Sequence, residues 1–143
     1  MNEELKLHYD VAGGNFVEAG AASGNVKKVL SQLGVAPAVI RRVAVAMYEG
    51  EINMVIHANG GTADVYIRPD SIRVVLSDTG PGIKDIALAM TAGYSTASQQ
   101  ARDLGFGAGM GLPNMKSYTD EMQIQSEPGV GTTVDMVIYT EPR

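Results

Sequence analysis

The sequence contains no cysteine and only two histidines, His8 and His57. Without cysteine there is no disulfide scaffold, no thiolate zinc site and no cysteine nucleophile. Two histidines do not make a histidine-rich metal centre. Basic residues are also few: 11 Lys and Arg stand against 16 Asp and Glu, for a net charge of -5. They occur at most in pairs, Lys27-Lys28 and Arg41-Arg42. A general nucleic-acid binder carries a basic field, so no direct DNA or RNA binding is expected. No apolar run approaches the roughly 20 residues needed to cross a bilayer. Met1-Asn2-Glu3-Glu4-Leu5 has neither the basic nor the apolar region of a secretion signal, so the expectation is a cytoplasmic chain without membrane contact. At 143 residues and 45% hydrophobic, residues 1–143 are expected to form a single domain. A chain of that size buries about 70% of the surface it exposes when unfolded.

Glycine is in excess, with 17 residues where the usual share is about 7%. Seven of them fall between Gly80 and Gly111, a window that calls for backbone freedom or close approach to a ligand. Around it the pattern is regular. Leu5, Leu7, Tyr9 and Val11 alternate as a half-buried strand. Phe16, Ala19, Ser23, Val26, Leu30 and Leu33 recur at helical spacing up to Gly34. Pro37 opens a second helix to about Ala58, with Val39, Ile40, Val43, Met47 and Met54 as its core stripe. Asn59-Gly60-Gly61 reads as a turn, and Ala63–Arg68 with Ser71–Ser77 as a hairpin. A short helix is predicted over Lys84–Ala92, an aperiodic loop over Gly93–Gly111 and another short helix over Leu112–Thr119. Glu121–Ser126 and Thr132–Thr140 form a closing hairpin. This order favours an α/β two-layer sandwich, with a mixed, mostly antiparallel sheet and helices on one face.

Three clusters carry chemistry. Glu49, Asn53 and His57 are spaced by four and stack on one face of the second helix. Either that face is solvated, or it offers a hard-oxygen site for Mg²⁺ with a carboxylate beside it. Asp78-Thr79-Gly80-Pro81-Gly82 ends a strand. It is either a tight turn or a place where Asp78 accepts from an exocyclic amine while Gly80 and Gly82 admit a flat ring. Gly105, Gly107, Gly109 and Gly111 alternate before Leu112 opens a helix. This is either a surface loop or an anion site of free backbone N–H groups. No Gly-Lys-Ser/Thr follows, so it is not a P-loop.

In this order and spacing, Glu49-x-x-x-Asn53, Asp78-x-Gly80-x-Gly82 and Gly107-x-Gly109-x-Gly111-Leu112 resemble the N, G1 and G2 boxes of the GHKL ATPase/kinase superfamily. Gly131-Thr132-Thr133 is similar to its closing Gly-Thr motif. The resemblance covers about Arg41 to Val137. Within the superfamily, Glu49-x-x-x-Asn53-x-x-x-His57 is similar to anti-sigma factor serine kinases. Asp78–Ile83, Gly93–Thr96 and Gly111–Lys116 look like the stressosome switch kinase. The resemblance implies the Bergerat ATP-binding fold, with ATP and Mg²⁺ as cofactors. It implies Asn53 on Mg²⁺, Glu49 as general base, Asp78 on the adenine amino group, Thr132 near the adenine and the Gly107–Gly111 loop as ATP lid. The implied activity is a serine/threonine protein kinase acting on a STAS-domain antagonist, with a sigma factor or a stressosome-like complex as further partner and room for a homodimer. A non-catalytic, ATP-dependent partner-binding switch is the alternative.

Two departures from the pattern stand out. Gly50 occupies a place where the superfamily usually has alanine. A mid-helix glycine costs about 1 kcal/mol, so a close contact is expected there. Sporulation-type kinases carry an arginine before the second and third lid glycines, where Gly107 and Ala108 stand here; Arg102 is the basic residue nearby. His57 reads as structural rather than catalytic, and Lys116 as either a phosphate contact or a solvated helix residue.

Overall fold

A computed structural model describes residues 4–12, 20–57, 60–79, 111–127 and 129–140. Five strands form one sheet: β1 (Leu5–Ala12), β2 (Gly60–Ile67), β3 (Ser71–Asp78), β4 (Glu121–Glu127) and β5 (Gly131–Tyr139). Their order is β1-β2-β3-β5-β4. Every described pairing is antiparallel, in keeping with the mostly antiparallel sheet expected. Helices α1 (Ala21–Gln32), α2 (Pro37–His57) and α3 (Gly111–Ser117) give the two-layer α/β sandwich. No helix among the described residues is long and apolar enough to cross a membrane.

Strand alternation sorts side chains onto two faces. Val65, Val74 and Met136 share one row of the helix-facing side, and Ile67, Ile72 and Ile138 another; all are buried. The opposite face is polar: His8 pairs with Asp64, and Arg73 with Asp135. The predicted stripe of α2, Val39, Ile40, Val43, Met47 and Met54, is buried as expected.

The first helix differs from its periodicity. Ser23, Val26 and Leu30 are buried, but Leu33 lies past the helix end and is 53% exposed. Gly34, at φ +77°, stops the helix as predicted. Gly34 N–H bonds to Ser31 O, and Val35 N–H to Leu30 O, which satisfies the last carbonyls. Residues 13–19, which include Phe16 and Ala19, lie outside the described residues. The turn expected at Asn59-Gly60-Gly61 is corrected in part, because Gly60 and Gly61 open β2. Gly61 is needed for close approach rather than for a turn: a methyl group there would lie 2.2 Å from Ser77 O and 3.0 Å from Asp78 Cα. The helix predicted over Lys84–Ala92 and the loop over Gly93–Gly111 fall on undescribed residues, apart from Gly111 itself.

Two contacts fix α2. The start of α1 has no side-chain cap of its own. Instead, Glu51 of α2 is 2% exposed and accepts from Gly20 N–H (3.0 Å), Ala22 N–H (3.1 Å) and Ser23 N–H (3.0 Å). A carboxylate suits the unpaired N–H groups and positive end of a helix. On another side, Gly50 meets the sheet and α3. A methyl group there would lie 2.0 Å from Leu76 Cδ1 and 3.2 Å from Met115 Sδ. This is the close contact that the mid-helix glycine called for.

Both contacts lead to stability predictions. Glu51→Gln places an NH₂ where an oxygen accepts and leaves at least one buried N–H unpaired, at about 1–3 kcal/mol. Gly50→Ala gains about 1 kcal/mol of helix propensity but overpacks buried Leu76 and Met115 by about 1–3 kcal/mol. Urea denaturation of each variant should give a lower midpoint with an unchanged slope. A midpoint at or above wild type would refute the corresponding contact.

Candidate functional site

The site is built where α2 passes over one end of the sheet. Gly50 sits against Leu76 of β3. One turn later, Met54 Sδ lies 3.0 Å from where a methyl group on Gly61 would stand. The intervening turn therefore lies above the last rows of the sheet. Glu49 and Asn53, both half-buried, project from this part of α2 one turn apart.

Beneath it, the helix-facing side of the sheet changes character. Gly61, Asp78, Thr132 and Ser126 stand in register across β2, β3, β5 and β4. The next row inward is Ala63, Leu76, Val134 and Ile124, so the apolar face ends in a polar rim. Thr132 is 9% exposed. Its N–H donates to Asp78 Oδ1 across 3.3 Å, and its hydroxyl bonds Ser126 Oγ at 2.8 Å. Glycines stand on both sides of Asp78. At Gly131, whose φ is +153°, a methyl group would lie 2.1 Å from Asp78 O. With Gly61 on the other flank, the strands can close on Asp78 only without side chains.

The third side is α3. Gly111 starts it, Leu112 and Met115 are buried, and Asn114 Nδ2 donates to Glu49 Oε1 at 3.3 Å. The joint between α3 and β4 is tied to α2 as well. Arg42 Nε donates to Tyr118 O at 3.2 Å, and Arg42 pairs with Asp120 at 3.0 Å. Burial raises the Asp120 carboxyl pKa, but the Tyr139 N–H and Arg42 outweigh it and hold it below the usual range.

The structure thus brings Asp78 and Thr132 into contact, sets Glu49 and Asn53 on the turn of α2 above that end of the sheet, and seats Leu112 on the adjoining helix. Gly80, Gly82, Gly105, Gly107, Gly109 and Arg102 lie outside the described residues, as does the side chain of His57. Lys116 is exposed. Sequence reasoning missed Asn114, Ser126 and the cap formed by Glu51. For Glu51 a signal existed: two residues from Glu49 it points to another side of a largely apolar helix, where a carboxylate must find a partner.

Residues 18–138 match the family described as histidine kinase-like ATPase domain, HATPase_c_2. The chain is 32% identical over 105 residues to an anti-sigma F factor of Caldanaerobacter subterraneus subsp. tengcongensis, covering 70% of each chain. It is 29% identical over 115 residues to the serine/threonine-protein kinase RsbT of Bacillus subtilis, covering 78% of this chain and 80% of that one. Among solved structures, the RsbU and RsbW domains of a Mycobacterium tuberculosis protein match 96% of this chain, with a TM-score of 0.63 at 16% identity. This chain spans 33% of that one, and at such identity the likeness speaks for the fold. The chain belongs to the histidine kinase-like ATPase family, as a GHKL-type ATP-binding domain similar to anti-sigma factors and the RsbT kinase.

Proposed function

We propose that this ATP-binding domain is a serine/threonine protein kinase of the anti-sigma or switch type, and that it phosphorylates a serine or threonine of a STAS-domain antagonist. The supporting observation is Glu49 and Asn53 on successive turns of α2, above the end of the sheet where Asp78 and Thr132 form a polar rim. The likeness to the RsbT kinase supports the activity. The likeness to anti-sigma F factors supports a sigma factor as a further partner.

Phosphoryl transfer is chiefly positioning and charge neutralisation. Asp78, an acceptor anchored by Thr132 N–H, would receive the adenine amino group. The glycines flanking it keep the rim low enough for a flat ring to approach. The donor set fits a magnesium-bound nucleotide. Among the described residues no group of three His, Cys, Asp or Glu could hold a metal alone, and Mg²⁺ commonly takes one or two protein oxygens together with phosphate and water. Asn53 would supply the protein oxygen. When bound, Mg²⁺ neutralises charge on the phosphates. Glu49 would accept the proton of the attacking hydroxyl, an effect of about 10²–10⁴-fold.

Three variants test these roles. Asp78→Asn should abolish ADP binding in calorimetry with the fold intact. The amide presents a donor to the adenine amine, while its oxygen can still accept from Thr132 N–H. Glu49→Gln should bind Mg-ATP normally and lose transfer to a serine-containing STAS-domain protein by about 10²–10⁴-fold. Asn53→Ala should weaken Mg-ATP more than magnesium-free nucleotide. If wild type binds the STAS protein only with ATP and transfers no phosphate to it, the chain is a nucleotide-gated binding module and not a kinase.

A further inference from the structure

We propose that Asn114 is a positioning residue for Glu49, holding its carboxylate in one orientation through a side-chain N–H. The inference rests on Glu49 serving as the base. The contact is made by a neutral amide at 3.3 Å between two half-buried side chains. A carboxamide can donate to a carboxylate without neutralising it, whereas a lysine or arginine in the same place would form an ion pair and weaken the base. Among the described residues Glu49 is in no ion pair, and Lys116, the basic residue of α3, is exposed.

The mount beneath Asn114 is rigid. Its chain neighbour Met115 is fully buried, with Sδ against Gly50, the chain neighbour of Glu49. The apolar contact of Gly50 with Met115 thus lies beside the polar contact of Glu49 with Asn114. With no side chain at Gly50, the two helices lie close enough for a short carboxamide to reach. Ser117 Oγ bonds Pro113 O and Thr119 Oγ1 bonds Met115 O, while Arg42 ties Tyr118 and Asp120 back to α2. These bonds fix the backbone that carries Asn114, and its donor restricts the rotamers of a side chain that otherwise has three free torsions.

The test has a ligand-free arm and a kinetic arm. In NMR spectra of the full chain alone, the Asn114 side-chain amide resonances should move on Glu49→Gln; if they stay in place, the contact is refuted. In single-turnover transfer from labelled Mg-ATP to a serine-containing STAS-domain protein, Asn114→Ala should lower the rate constant about tenfold, the scale of one hydrogen bond to a charged group. The KM for ATP should not change. Asn114→Asp keeps the shape, replaces the donor with a like charge, and should lose at least as much. In a Glu49→Gln background, Asn114→Ala should cost nothing further, because a residue acting through Glu49 has nothing left to act on. Wild-type kinetics in Asn114→Ala, or equal losses in both backgrounds, would overturn the positioning role and leave the base role standing. A Glu49→Gln variant with wild-type transfer, or a wild type without transfer, would remove the base reading and this inference with it.

Discussion

The architecture turns on how closely α2 approaches the layer beneath it and the helix beside it. Gly50 has Leu76 of β3 on one side and Met115 of α3 on another, each where a methyl group would already be too near. One missing side chain therefore sets the height of α2 above the sheet and the position of α3 alongside it. Packed interiors transmit such constraints because they have little free volume. The cost in helix propensity, about 1 kcal/mol, is offset by burial of Leu76 and Met115, residues whose full burial is worth about 1.5–3 kcal/mol each.

The same economy of side chains recurs at the rim. Gly61 and Gly131 flank Asp78 from the two adjacent strands, and the backbone of Thr132 bonds its carboxylate. The last row of the helix-facing side is thereby low and polar, where the rows behind it are tall and apolar. A face of this kind can hold a planar group while presenting a fixed acceptor to its edge.

Two carboxylates two residues apart on α2 have opposite surroundings. Glu51 is buried, accepts from three backbone N–H groups, and joins α1 to α2. Glu49 is half-buried and, among the described residues, accepts from the neutral amide of Asn114. Residue type does not separate them. The separation comes from helical geometry, which turns position 51 toward α1 and position 49 toward α3. One carboxylate is committed to structure, and the other accepts from a neutral donor and is in no ion pair among the described residues.

Periodicity and motif order determined a good deal. Alternation in the strands, the stripe of α2 and the stop at Gly34 are local features, readable because strand and helix repeat at different periods. The sets around Glu49, Asp78 and Gly111 stood out because their order and spacing resemble the N, G1 and G2 boxes of the GHKL superfamily. The contacts that assemble them join residues far apart in the chain: Gly50 with Leu76, Asp78 with Thr132, Glu49 with Asn114 and Glu51 with the start of α1. Local pattern carries no record of such pairings. The register of five strands and the height of one helix decide them. For the same reason Gly61, whose dipeptide reads as a turn in sequence, is a point of close approach in the fold: a missing side chain looks identical in sequence whether it serves a turn or a contact, and only the neighbouring strand distinguishes them.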